Sequence, residues 1–332
     1  MPQPAIAVSA VRLAIRRSLT DLSAGDLVLV ACSGGADSMA LAAATAFEAR
    51  SAPWRAGLIT VDHGLQPGSA EQAQRVRRWA HSMGFEPAES TRVQVGTAGG
   101  PEAAARSARY AALDAAAQRH GAAAVLLGHT LDDQAETVLL ALARGSGARS
   151  LSGMAPVRGH YRRPLLNLTR TITEQMCASE GLQPWQDPHN SDSSYTRVRI
   201  RGVLRALEDA APGATSGLAR TAAMLRADAD ALEETAEAVG QQVRGDDGAL
   251  DCKKLAQCGP AVRSRVLRAA AFTAGVPAGA LLSAHVSMLE ALIISWTGQG
   301  PISLPGGIEA FRTSGRLVFD QRPWDSSEES GL

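Results

Sequence analysis

LVLVACSGGADSMALA, residues 27–42, passes from an apolar β-type run through a turn of small residues into an Ala/Leu-rich helical pattern. The run Leu27–Ala31 reads as a buried strand, and the helical pattern is established by Met39. Between them stand Ser33, Gly34, Gly35, Ala36, Asp37 and Ser38. A strand that enters a helix through such a turn forms a cradle for phosphate, because backbone N–H groups and the helix N-terminus face the anion. Adjacent glycines let the backbone bend that far, and the hydroxyls of Ser33 and Ser38 add donors. The ATPase loop G-x-x-x-x-G-K-[ST] is absent, since no lysine follows the glycines. An aspartate beside a phosphate is repelled by it unless a cation bridges them, so Asp37 is the candidate ligand for Mg²⁺ on a released pyrophosphate. The plain alternative is an ordinary glycine-rich strand-to-helix turn.

Outward from this loop, short apolar runs alternate with helical stretches. Strands are expected at 26–32, 57–62, 88–95 and 123–128, and helices at 5–19, 36–49, 69–83, 101–120 and 131–143. This alternation predicts an α/β fold: a Rossmann-like parallel sheet with helices on both faces. Ligands of such sheets bind beyond the carboxyl ends of the strands. Three motif positions fall there: the Ser33 loop, Asp62-His63 and Gly128-His129.

Beyond 144 the chain is Arg/Gly-rich, with a strand expected near 163–168, a short helix at 171–181, a polar loop at 183–194 and an Arg-studded helix at 195–208. Ala-Ala-Pro-Gly-Ala then breaks the pattern, which sets domains at 1–207 and 208–324. Leu218, Ala222, Leu225, Ala229, Leu232, Ala236, Val239 and Val243 recur at alternating steps of four and three. That is a heptad seam on one long helix, able to serve a neighbouring helix in the chain or a homodimer. Helices near 260–274 and 278–296 follow, then two turn signals between alternating runs, which predict a small antiparallel unit. The acidic, Ser-rich stretch 325–332 reads as a disordered tail.

Thirty-three basic and thirty-three acidic side chains give no net charge, hence no global pull toward nucleic acid. The distribution is uneven, because Arg144 to Arg205 carries ten arginines against four acids. Such a patch suits an RNA surface, and equally a set of solvated or paired arginines. Cys32, Cys177, Cys252 and Cys258 form no C-x-x-C, so zinc-ribbon and iron–sulfur spacings are missing and a reducing cytoplasm is expected. No stretch is apolar enough to span a membrane, and residues 5–19 do not read as a signal peptide.

A second cluster, GHTLDDQAETVLLALARGSGARSLSGM, occupies residues 128–154. With a helix starting near Leu131 and each residue advancing about 100°, Asp132, Asp133 and Glu136 fall within one sector of about 100°. Acids at a helix start are favoured by the dipole, which accounts for one or two of them. Three aimed at the sheet's carboxyl edge suit Mg²⁺, or an amine whose proton must be accepted.

The SGGADS loop resembles that of the PP-loop ATP pyrophosphatases, which adenylate a substrate and expel pyrophosphate. Asp62-His63-Gly64-Leu65, GHTLDDQAET and RGSGARSLSGM narrow the resemblance to the tRNA(Ile)-lysidine synthetases. So do Pro101 to Tyr110, Arg163-Pro164-Leu165-Leu166, and Asp187 to Asp192 leading to Arg197, Arg199 and Arg201. Leu304-Pro305-Gly306-Gly307 and the helices before it resemble that family's tRNA-binding domain. The resemblance implies ATP-dependent ligation of L-lysine to the wobble cytidine of a tRNA(Ile) with a CAU anticodon. It implies that Ser33 to Ser38, Asp62, His63 and His129 bind ATP with Mg²⁺ on Asp37. Asp132, Asp133 and Glu136 become candidates for gripping lysine, with His129 open to base, ATP or adenylate. Arg106, Arg109, Arg197 and Arg201 become candidates for phosphate or activated-base contacts, with Arg109 and Arg201 assigned to catalysis. Val198 stands where that family usually has asparagine. Two rival readings are a PP-loop 2-thiolase, which the isolated cysteines oppose, and a non-catalytic ATP-binding module, which needs no acidic cluster.

Overall fold

The computed structural model of the chain describes residues 5–64, 66, 68–97, 100–187, 192, 195–277 and 279–321. The tail at 325–332, Leu65, and residues 188–191 of the Asp187–Asp192 motif lie outside these. The chain forms two compact units, Met1–Leu225 and Arg226–Leu332.

In the first unit, α1 (Ile6–Ser18), β1 (Leu27–Ala31), α2 (Ala36–Ala49), β2 (Arg55–Asp62), α3 (Ser69–Ser82), β3 (Ala88–Arg92), α4 (Pro101–His120), β4 (Ala122–Leu127) and α5 (Leu131–Ala143) follow the predicted alternation. Then come α6 (Ala148–Leu151), β5 (Val157–Arg158), β6 (Tyr161–Arg162), α7 (Arg170–Ser179) and α8 (Thr196–Ala210). The sheet order is β3-β2-β1-β4-β6-β5. Every pairing is parallel except the β5–β6 hairpin. Successive side chains of a strand point to opposite faces. Val28 and Val30 accordingly join a core with Val11 and Ile15 of α1, Leu41 of α2 and Met176 of α7. Leu27 and Leu29 join another with Leu113, Ala116 and Ala117 of α4. The chain leaves β1 for β2 and β3 on one side and returns to β4 on the other. The crevice beyond β1 and β4 is thus the topological switch point, where such sheets bind ligands.

The strand expected at 163–168 does not form. Pro164 has no N–H to give a ladder, and the pairing to β4 is made two residues earlier, with Val125 opposite Tyr161 and Leu126 opposite Arg162. Leu165 and Leu166 are buried from a turn instead.

Helix α9 (Ala214–Val243) begins after the predicted break, and the compact units part within it. Its seam residues Ala222, Ala229, Ala236 and Val243 are buried at seven-residue intervals. The second unit continues with β7 (Leu250–Asp251), α10 (Cys252–Gln257), α11 (Pro260–Thr273), α12 (Ser283–Ile294), β8 (Ile302–Leu304), β9 (Ile308–Thr313) and β10 (Arg316–Gln321). Its antiparallel sheet has the order β7-β10-β9-β8. Ala236 and Val243 pack with Leu267, Leu289, Ala310 and Leu317 into one core. Among the described residues no helix is long and apolar enough to cross a membrane.

Candidate active site

The loop after β1 closes on itself through its hydroxyls. The Ser33 N–H donates to Ser38 Oγ at 3.2 Å, and Ser38 Oγ donates to the Gly35 carbonyl at 3.0 Å. Gly34 has φ +90°, a conformation that demands glycine, and a Cβ there would also lie 2.5 Å from Gln72 Nε2 of α3 and displace that side chain. The Gly34 carbonyl accepts the Trp185 N–H at 2.8 Å, which straps the 182–187 segment over the loop. Gly35 caps α2, leaving the first N–H groups of that helix at the carboxyl end of the sheet.

The second motif lies beside the first. A Cβ on Gly128 would come within 3.2 Å of the Asp37 and Ser38 backbone, so glycine allows β4 and the loop to approach this closely. Thr130 caps α5 in a capping box with Asp133: the Thr130 N–H donates to Asp133 Oδ2 at 2.8 Å, and Asp133 N–H donates to Thr130 Oγ1 at 3.4 Å. Asp133 therefore serves the helix start with one oxygen and has the other, Oδ1, turned to Arg170 Nη2 at 3.0 Å. Asp132 is bound into the scaffold as well, since its Oδ2 accepts the Arg170 backbone N–H at 2.8 Å.

Arg170 is the residue that sequence reading missed. Its guanidinium reaches Asp37 at 3.4 Å, Asp133 at 3.0 Å and Glu136 at 3.7 Å. It thus ties the phosphate loop to the acidic helix. Asp37 also accepts a hydrogen bond from the Thr173 hydroxyl of α7. Glu136 Oε1 accepts from Arg201 Nε at 2.8 Å, while its buried Oε2 has no hydrogen-bond partner among the described residues. Burial pushes the carboxyls of both Asp37 and Glu136 above the ordinary range. Thr173 and Arg170 oppose this for Asp37, and Arg201 opposes it for Glu136. Burial alone would lower the Arg170 pKa, but the surrounding carboxylates outweigh it and hold the cation charged.

These groups border a cavity of about 1120 Å³ in the first unit. Ser33, Gly35 to Ser38, Asp62, His63, His129, Asp133, Arg109, Arg197 and Arg201 line it, as do Arg170, Trp185 and Arg205. Of the residues singled out by sequence, Gly34, Arg106, Asp132 and Glu136 do not reach its wall. Arg106 leans on Tyr110, with a 3.4 Å contact to the hydroxyl and 5.0 Å to the ring centre. Arg197 pairs with Glu102 at 3.2 Å. Asp62 accepts the Gly64 N–H at 2.9 Å and so shapes its own turn. Arg106 and Arg109 have no carboxylate partner among the described residues. Burial, with neighbouring arginines, lowers the pKa of both.

His129 stands at the end of β4 with Nδ1 buried and unpaired. Burial, helped by Arg163, Arg109 and Arg106 against Asp133, pushes its pKa down to about 3. The imidazole is neutral at pH 7, and the sign for stability follows. The unfolded chain binds this proton near pH 6.5 and the folded one only near 3, so stability is complete above the former and is lost as pH falls between them. His129→Gln is expected to flatten the fall of unfolding free energy between pH 6.5 and 4 by up to about 1.4 kcal/mol per pH unit, and the fall of Tm with it. Thermal melts of both proteins across that range check it, and parallel curves count against the buried neutral imidazole.

Cys32 and Cys177 also adjoin the loop. Cys177 Sγ donates to the Ala36 carbonyl at 3.4 Å, and burial with the nearby Asp37 charge raises its pKa to about 11. Burial likewise raises the pKa of Cys32. Thiols so held are not activated nucleophiles.

A PP-loop domain model matches residues 10–207, and a TilS substrate binding domain model matches residues 250–318. The tRNA(Ile)-lysidine synthase of Thermobifida fusca (strain YX) is 55% identical over 319 residues, covering 96% of this chain and 98% of the relative. The chain belongs to the tRNA(Ile)-lysidine synthase family. A second relative of that name, from Streptomyces coelicolor (strain ATCC BAA-471 / A3(2) / M145), is 53% identical over 96% of this chain and 99% of its own length. Another, from Salinispora arenicola (strain CNS-205), is 55% identical over 95% and 97%. Among solved structures, the U34-tRNA thiolase NcsA from Methanococcus maripaludis, described with its [4Fe-4S] cluster, aligns with TM-score 0.56 at 18% identity. It covers 66% of this chain and 79% of that one, and shares the fold. The family membership agrees with a site assembled at the switch point of a PP-loop sheet.

Proposed function

We propose that the protein joins L-lysine to C2 of the wobble cytidine of a tRNA(Ile) with a CAU anticodon, converting ATP to AMP and pyrophosphate. The observation that carries this reading is the convergence of the phosphate loop and the acidic helix start on one cavity, with Glu136 Oε2 buried and unpartnered beside them. Cytosine O2 attacks the α-phosphorus of ATP and pyrophosphate leaves. The lysine ε-amine then attacks C2, gives up a proton, and AMP leaves.

Each residue has a task in this scheme. Backbone N–H groups of Gly34, Gly35 and Ala36, with the Ser33 and Ser38 hydroxyls, receive the departing pyrophosphate. Asp62 and His63 border the nucleotide. Neutral His129 offers a hydrogen bond without charge to base, nucleotide or adenylate. Asp133 and Glu136 hold the amine, supported by Asp132, and the raised proton affinity of Glu136 suits it to accept the proton that the amine loses. Arg109 and Arg201 face the anionic adenylate, with Arg106 and Arg197 nearby.

Asp37 suits Mg²⁺ of the kind held mainly by phosphate oxygens and water, because it is the one carboxylate in the loop and no three-ligand cluster occurs among the described residues. When bound, the ion neutralises charge on the leaving pyrophosphate. The reading puts the protein in the cytoplasm, with the second unit contacting tRNA. We keep the domain division at 207/208 and the homodimer as proposals.

The test is mass spectrometry of nucleosides from a tRNA(Ile) transcript incubated with ATP and lysine. Lysidine is expected, and only when protein, ATP, lysine and transcript are all present. Thiolated nucleoside in its place, or no tRNA-dependent release of pyrophosphate, would overturn the reading.

A further inference from the structure

We propose that Arg170 is an exchangeable counter-ion: it occupies the seat of the substrate amine and must swing off Glu136 before lysine can bind productively. This rests on the reading of Asp133 and Glu136 as the lysine-gripping pair. Glu136 is only 4% exposed and does not line the cavity, whereas both arginines that touch it, Arg170 and Arg201, do. An incoming ammonium therefore meets Arg170 first.

The two arginine contacts are unequal. Arg201 Nε sits 2.8 Å from Glu136 Oε1 as a full hydrogen bond, whereas Arg170 Nη2 is 3.7 Å away and shares itself with Asp133. Exchange at the longer contact breaks no short bond to Glu136. The buried Oε2 has no partner, so the glutamate keeps an acceptor in reserve for a third cation. A buried acceptor left unmet is destabilising, and binding an ammonium there recovers that cost.

Arg170 also has somewhere to go. Its Nε already faces Asp37 at 3.4 Å, and its backbone N–H is anchored on Asp132 at 2.8 Å. The side chain can pivot from the acidic helix toward the phosphate loop while its main chain stays fixed. Amine capture would then deliver a guanidinium to the phosphate-loop side of the cavity, where the pyrophosphate is received. A vacant site would hold its carboxylates together without a substrate, and the same arginine would report to the loop that the amine has arrived. Arg170 is in these terms a positioning residue with a second duty as a competitor.

The experiment measures lysine binding by calorimetry, with ATP present, for the wild type, Arg170→Gln and Arg170→Lys, each first checked for a cooperative melt. Removing a competitor should tighten lysine binding, by at least about threefold in Arg170→Gln. Arg170→Lys, a shorter point charge unable to span Asp37 and Glu136 together, should fall between. Guanidinium chloride at tens of millimolar, against matched sodium chloride, should displace lysine from Arg170→Gln and leave the wild type unchanged. A purely structural arginine predicts weaker lysine binding in both variants, and that result, or unchanged binding, overturns the exchange. If Arg170→Gln does not fold, the Lys variant alone decides by the same sign. Wild-type protein that binds no lysine while still releasing pyrophosphate with tRNA would instead remove the lysine-gripping assignment itself.

Discussion

Glu136→Gln is expected to lower lysidine formation by about 10²–10⁴-fold, the range lost with a positioned proton acceptor, while tRNA-dependent pyrophosphate release without lysine stays near the wild-type rate. The substitution preserves volume in a side chain buried among Arg170 and Arg201. On the proposed reading it removes the charge that holds an ammonium and the group that takes its proton. It also leaves Arg201 facing a neutral amide at 2.8 Å in place of a carboxylate, and unpairing a buried charge is itself destabilising. Melting curves must therefore accompany the kinetics. The split between the two steps carries the inference, because general damage to the fold would slow adenylation and lysine transfer alike. Lysidine made at the wild-type rate by a folded Glu136→Gln protein would remove Glu136 from the lysine site.

What sequence could convey here was local. The SGGADS turn, its strand and its helix lie within residues 27–49, and α2 spans the predicted 36–49. The acidic set on α5 followed from helical period alone. Of that set, Asp133 caps the helix with Oδ2 and meets Arg170 with Oδ1. What stayed hidden depends on chain closure. Arg170 lies far along the sequence from Asp37, and it was one of ten arginines in a stretch where charge alone could not rank them. Thr173 and Trp185 reach the loop by the same long-range route. The strand expected at 163–168 does not form, because Pro164 has no N–H for a ladder and β4 pairs at Tyr161–Arg162 instead. The short α6 and α10 and the two-residue β7 are set by packing and capping rather than by a readable period.

Asp37→Asn is the complementary substitution, and its effect should appear in the first step. Asparagine keeps the shape and can still accept the Thr173 hydroxyl that fixes the side chain, so the loop and the α2 start should hold their geometry. What is lost is one negative charge at the mouth of a cradle that must receive a tetra-anion. On simple Coulomb grounds the loss should help phosphate binding, and ATP affinity is expected to be unchanged or tighter. The rate of tRNA-dependent pyrophosphate release is nonetheless expected to fall by about 10³-fold, because the carboxylate would hold the cation that neutralises the leaving pyrophosphate, and losing a preorganised stabiliser of developing charge has an effect of this size. Tighter substrate binding with slower chemistry is the signature of a group that acts on the leaving pyrophosphate rather than on ground-state ATP. Equilibrium ATP binding and single-turnover pyrophosphate release, measured side by side, separate the two. If Asp37 were only the partner of Arg170 and Thr173, the folded variant would release pyrophosphate at close to the wild-type rate. The acidic residue inside the phosphate loop would then be an architectural tie between α2 and α7.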